Sequence, residues 1–91
     1  MTVRKPSWEP DWAEHPGDTI REALHDRGLT QERAAELAGV SQPYLSGLIR
    51  GTRAITARAA LHLEAATGVR AELWARMYAD WAVKTERNRA A

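Results

Sequence analysis

Residues 29–51 read LTQERAAELAGVSQPYLSGLIRG, and their spacing decides the fold. Two short helical patterns are separated by one glycine, and the second closes on another. Counting from Gln31, Ala35 stands fifth, Gly39 ninth, Leu45 fifteenth and Leu48 eighteenth. A small residue at the fifth position lets the second helix cross closely, and glycine at the ninth supplies the positive φ of a tight turn. Leu45 and Leu48, three apart, share one face of the second helix and pin it to a core. Thr30 is a good N-cap for the first helix of the pair, which runs to about Ala38. Its inner face is Ala34, Leu37 and Ala38. Ser41 caps the second, with Pro43 in its first turn and Gly51 as the stop.

That register is the one a DNA-binding helix-turn-helix needs. Outward from it, the pattern predicts three more helices. Upstream, Ile20, Ala23 and Leu24 form an inward face that ends at Gly28. Pro16 in the first turn or Asp18 as a cap are both compatible starts for it. Downstream, Ile55 anchors a loop and Thr56 caps a helix over 57–67, with Ala60, Leu63 and Leu61 as its buried face and Gly68 ending it. A last helix from about 71 to 84 carries Leu73, Trp74, Met77, Tyr78 and Trp81. Five helices, short connections and no strand signal make the chain all-α. Residues 1–14, with two prolines, Trp8 and Trp12, read as a short extended arm. The domain spans 15–84, and 85–91 is a polar tail expected to fray.

Ninety-one residues suit one modest core. The absence of cysteine excludes disulfides and thiolate chemistry. No membrane-spanning run or signal-peptide pattern appears, so a cytoplasmic protein is expected. The net charge of +1 conceals a division. Residues 1–36 carry five basic and eight acidic side chains, whereas 37–63 carry Arg50, Arg53 and Arg58 with no acid at all. The acid-free stretch contains the second helix of the pair and the loop after it, where phosphates would sit. His15, His25 and His62 have no partner at metal-binding spacing. His15 belongs to the start of the first helix, and the other two read as solvated. No phosphate cradle, activated nucleophile or close carboxylate pair appears, so neither an enzyme nor a cofactor is expected.

Beyond spacing, residues 15–83 resemble the XRE-type helix-turn-helix proteins of the lambda-repressor-like fold, and more narrowly the HigA-type antitoxins. The likeness rests on His15-Pro16-Gly17 before the first helix and on Leu45-Ser46-Gly47-Leu48-Ile49-Arg50-Gly51 at the end of the recognition helix. It continues through Arg53-Ala54-Ile55-Thr56, Leu63-Glu64 with Gly68, and Leu73-Trp74 in the last helix. Three positions depart from the pattern. Ala34 stands where a leucine is usual, Gly47 where a polar or basic residue often points at DNA, and Arg70 where a Ser or Thr cap would precede the last helix. Trp8-Glu9-Pro10-Asp11-Trp12 leading into residues 15–20 is also similar to the N-terminal module of ImmA/IrrE-type regulators. Their zinc-peptidase His-Glu-x-x-His motif is absent here.

The resemblance implies a sequence-specific repressor that binds double-stranded DNA at an inverted-repeat operator. It implies a homodimer, and a RelE-like (HigB-like) mRNA-cleaving toxin that the protein neutralises while regulating its own operon. The alternative is a stand-alone, phage-borne regulator without a toxin. By resemblance, Gln42 is the base reader, since an amide pairs bidentately with adenine. Pro43 would meet a thymine methyl, and Ser46 a base edge or phosphate. Gly47 offers no side chain to a base, and close approach of the helix is the reading for it. Gln31 at a helix N-terminus, Ser41, Tyr44, Arg50 and Arg53 form the phosphate-contact set. Trp74, Tyr78 and Trp81 fall at i, i+4 and i+7 with Met77 beside them, a stripe expected to form the dimer interface. Trp74 as core, or coverage of the stripe by Trp8 and Trp12, are the alternatives.

Overall fold

Local chemistry sets the helix boundaries. The computed structural model describes residues 14–90, in which five α-helices and no strand occur. They are α1 (Gly17–Asp26), α2 (Gln31–Ala38), α3 (Gln42–Arg50), α4 (Ala57–Thr67) and α5 (Ala71–Ala90). Hydroxyls of Thr30, Ser41 and Thr56 accept N–H bonds from Arg33, Tyr44 and Ala59 at 3.1, 3.2 and 3.1 Å. Each satisfies one of the donors that a helix start leaves orphaned. Between α2 and α3, Gly39 takes φ +70°, a conformation that strains any residue with a Cβ. Residues 1–13 of the expected arm, Trp8 and Trp12 included, lie outside the described residues.

Two helix starts resolve differently from expectation. Pro16 is the N-cap residue of α1 rather than part of its first turn, and neither it nor Asp18 supplies a side-chain cap bond. His15 does so, because its Nδ1 accepts the Gly17 N–H at 2.9 Å. Asp18 instead pairs with Arg21 across one turn at 2.7 Å. At α5 the missing Ser or Thr cap is replaced from another helix. The Glu64 carboxylate of α4 accepts the Ala71 N–H at 2.8 Å, so Arg70 need not cap.

The core is rich in alanine. Ala34, Ala35, Ala59, Ala60 and Ala66 are buried beside Ile20, Leu24, Leu45, Leu48, Ile49, Ile55 and Leu63. Small faces on α2 and α4 let the backbones approach, and Trp74, wholly buried, supplies volume that alanines cannot. Its indole N–H donates to Thr67 Oγ1 at 3.1 Å. Thr67 in turn donates to Leu63 O at 2.6 Å and accepts the Val69 N–H at 3.1 Å, so this buried hydroxyl is satisfied.

Three expectations about this packing fail. Leu37 and Leu61, expected inside, are 44% and 58% exposed. At 3.6 residues per turn, Leu61 lies roughly 160° from the centre of the buried face of α4. Leu37 sits roughly 100° from that of α2. The third concerns the tail. Rather than fraying from 85, α5 continues as helix to Ala90, with Glu86 and Arg89 paired across its last turn at 3.7 Å. Among the described residues no helix is long and apolar enough to cross a membrane.

Candidate nucleic-acid interface

Leu45, Leu48 and Ile49 drive one side of α3 into the core. Pro43, Ser46 and Arg50 lie on the side turned away from the core, Ser46 half-buried and the other two exposed, and Gln42 is exposed at the first position of the helix. The Ser41 Oγ accepts the Tyr44 N–H, which leaves its O–H proton available to an incoming acceptor. Gln31 is half-buried at the start of α2, next to the free N–H groups of that helix end. None of the eight residues expected to meet DNA is buried, and two of them make contacts that differ from expectation.

The first is Tyr44. Its ring is half-buried, and its hydroxyl hydrogen-bonds His62 Nδ1 of α4 at 3.3 Å. The two rings meet edge to face at 5.5 Å. His62, expected to be solvated, is half-buried in this contact. The second is Arg53, whose guanidinium lies 5.1 Å from the centre of the Tyr44 ring, within cation–π range. Gly47 explains how the arginine reaches it. A Cβ there would sit 3.1 Å from Cγ and Cδ of Arg53 and 3.2 Å from Thr52 Oγ1. The Gly47 carbonyl also accepts N–H bonds from Gly51, Thr52 and Arg53 at 3.0, 3.0 and 3.2 Å. Glycine here makes room for the side chains of the following loop.

Electrostatics agree with this placement. Among the described residues, Arg50, Arg53 and Arg58 form no ion pair, as Arg27, Arg76 and Arg87 also do not, whereas Arg21, Arg33, Arg70 and Arg89 each pair with a carboxylate. Arg50, Arg53 and Arg58 lie in the stretch 37–63, which holds no acid, and that balance favours an anion there. No group of His, Cys, Asp or Glu among the described residues could hold a metal ion.

The expected dimer stripe divides. Trp74 has no exposed surface and leaves the stripe for the core. Met77, Tyr78 and Trp81 remain half-buried. Tyr78 and Trp81 contact one another at 5.5 Å and both abut His15, at 6.3 and 4.7 Å between ring centroids. His15 also packs over Gly51 at the end of α3, so one imidazole touches α1, α3 and α5.

Burial lowers the His15 pKa below its ordinary value of 6.5, with Asp18 opposing and Arg21 adding to the shift. Because Nδ1 accepts the Gly17 N–H, the neutral ring carries its proton on Nε2, which is buried without a partner. The unfolded chain therefore takes up a proton first as pH falls. Stability is complete above pH 6.5 and declines as pH drops through that value toward the lowered native pKa. Thermal melts should show this decline on acidification from neutrality. His15→Asn, which keeps an acceptor near the Nδ1 position, should flatten it. An unchanged pH profile in that variant would remove His15 as the cause.

Comparison with known proteins follows this geometry. The profile of a family described as helix-turn-helix matches residues 20–74. Among solved structures, the chain is similar to PA4674 of Pseudomonas aeruginosa in complex with its 18-bp operator DNA, at 26% identity and a TM-score of 0.72, over 80% of each chain. It is also similar to a Nostoc punctiforme protein described as an antidote of a plasmid maintenance system. That match has 28% identity and a TM-score of 0.71, covering 87% of this chain and 91% of the other. No curated protein matches significantly.

Proposed function

Since the chain belongs to the XRE-type helix-turn-helix family, we propose that it is a transcriptional repressor that binds operator DNA through α3. The observation that carries this reading is the outward surface of α3, where Gln42 and Pro43 stand exposed at a capped helix start, Arg53 folds back over Tyr44 and unpaired Arg50 is exposed at the other end. The operator-bound relative from P. aeruginosa supports it. In the major groove, Gln42 would pair with an adenine, Pro43 would rest on a thymine methyl and Ser46 would reach a neighbouring edge. Gln31, Ser41, Arg50 and Arg53 would hold phosphates. The protein acts by binding rather than catalysis, in the cytoplasm.

One such domain covers a single half-site, so the proposal includes a homodimer on an inverted repeat. Met77, Tyr78 and Trp81, the accessible part of the aromatic stripe, are its interface. We further propose an antitoxin role, with a RelE-like toxin as second partner; likeness to the described plasmid antidote supports it. Co-purification with the product of an adjacent gene tests that role. A chain that never retains such a product is instead a stand-alone regulator.

Footprinting on its own promoter region tests DNA binding. Two protected half-sites should lie about 10 bp apart, or a multiple of that. Gln42→Ala should lose discrimination at one base pair, by about 1–3 kcal/mol. Arg50→Ala should weaken all sequences alike and lower the salt slope by about one. A chain that protects no sequence and shows no salt-dependent affinity for duplex DNA would overturn the proposal.

A further inference from the structure

Arg53 follows the C-terminal end of α3 in sequence, yet its guanidinium is not at that end. Its stem crosses Gly47 and its charge rests over Tyr44, about one turn nearer the helix start. The Tyr44 ring is itself held, by the hydrogen bond to His62 at 3.3 Å and by the edge-to-face contact of the two rings. Helix α3, the loop after it and α4 thus contribute one residue each to a single stack. A side chain fixed before binding loses less rotamer freedom when it meets its target.

From this stack we infer that Tyr44 and His62 are positioning residues for DNA phosphate binding: they act through Arg53 by holding its guanidinium beside the start of α3. The inference rests on the proposed DNA-binding role and deepens it. Tyr44 then needs no phosphate contact of its own, because its hydroxyl is committed to α4. Gly47 is part of the same arrangement, since a Cβ there would crowd the arginine stem, which would have to give by a few tenths of an ångström.

A mutant cycle on mixed-sequence duplex DNA, titrated at several KCl concentrations, tests the stack without knowledge of the operator. Phosphate contacts supply this non-specific affinity. Tyr44→Phe removes only the hydroxyl, and His62→Ala removes its holder. Each should weaken binding by roughly two- to tenfold, with the salt slope unchanged because Arg53 still releases its counterion. Arg53→Ala should lower the slope by about one. In the Arg53→Ala background, Tyr44→Phe and His62→Ala should add no further loss. Full losses in that background would show Tyr44 touching phosphate itself and overturn the inference, as would wild-type affinity in both single variants. A wild-type chain without duplex affinity would overturn the proposed function and this inference together. Affinity present with additive losses would overturn the inference alone.

Discussion

Trp74→Ala is expected to destabilise the domain by about 3–5 kcal/mol, the usual cost of deleting a fully buried large aromatic. For a domain of this size that corresponds to a fall in melting midpoint of about 15 °C or more. Trp74 has no exposed surface, and it fills space in a core that α2 and α4 line largely with alanine. Alanine cannot collapse onto alanine across such a gap, so the cavity would persist. The indole N–H to Thr67 is also lost, although Thr67 keeps Leu63 O and the Val69 N–H. Trp74→Phe separates the two effects, retaining most of the volume without the donor, and should cost clearly less. Circular dichroism melts decide the matter. A Trp74→Ala variant within about 1 kcal/mol of wild type would place the indole at the surface.

The second large effect is expected at Gly17, where φ is not positive. There the reason for glycine is proximity. A Cβ would run into the backbone carbonyl oxygen of Ile49 and sit 3.0 Å from His15 Nδ1. Backbone cannot swing aside as a flexible side chain does, so α1 and the end of α3 must separate. Overpacking costs about 1–3 kcal/mol where side chains give way, and a backbone clash belongs at or above the top of that range. The same shift breaks the bond from the Gly17 N–H to His15 and loosens the imidazole between α3 and α5. Gly17→Ala should therefore lower the melting midpoint and weaken duplex affinity together, since Ile49 lies near the end of the proposed recognition helix. Wild-type stability in this variant would mean that α1 docks farther from α3 than the structure has it.

Much of the candidate surface was legible before any coordinates. The hydroxyl-bearing cap residues and terminal glycines bounded α2, α3 and α4, because those bonds join residues three or four apart. The outward face of α3 followed from Leu45 and Leu48, since burying one side of a helix exposes the other. Other features were hidden because they join different elements, whose mutual placement only folding sets. Glu64 caps α5 from a neighbouring helix, which no local pattern announces. His62 read as a solvated surface residue until α4 was placed beside Tyr44. At Gly47 the packing of the Arg53 and Thr52 side chains was likewise out of sight until the loop was placed.

The aromatic stripe of α5 shows where this boundary lies. Helical spacing put Trp74, Tyr78 and Trp81 on one face, and that was correct, because periodicity is a property of a single helix. It could not say where along the face the core ends. The bundle decides that: Trp74 falls beside Thr67 of α4 and disappears, whereas Tyr78 and Trp81 lie farther along and meet His15 from the start of α1. Sequence alone therefore determined the five helices, the caps of α2, α3 and α4, and the turn that presents α3. Tertiary structure decided which side chains are spent on the interior and which remain for partners, because burial depends on neighbours that the chain brings together only by folding.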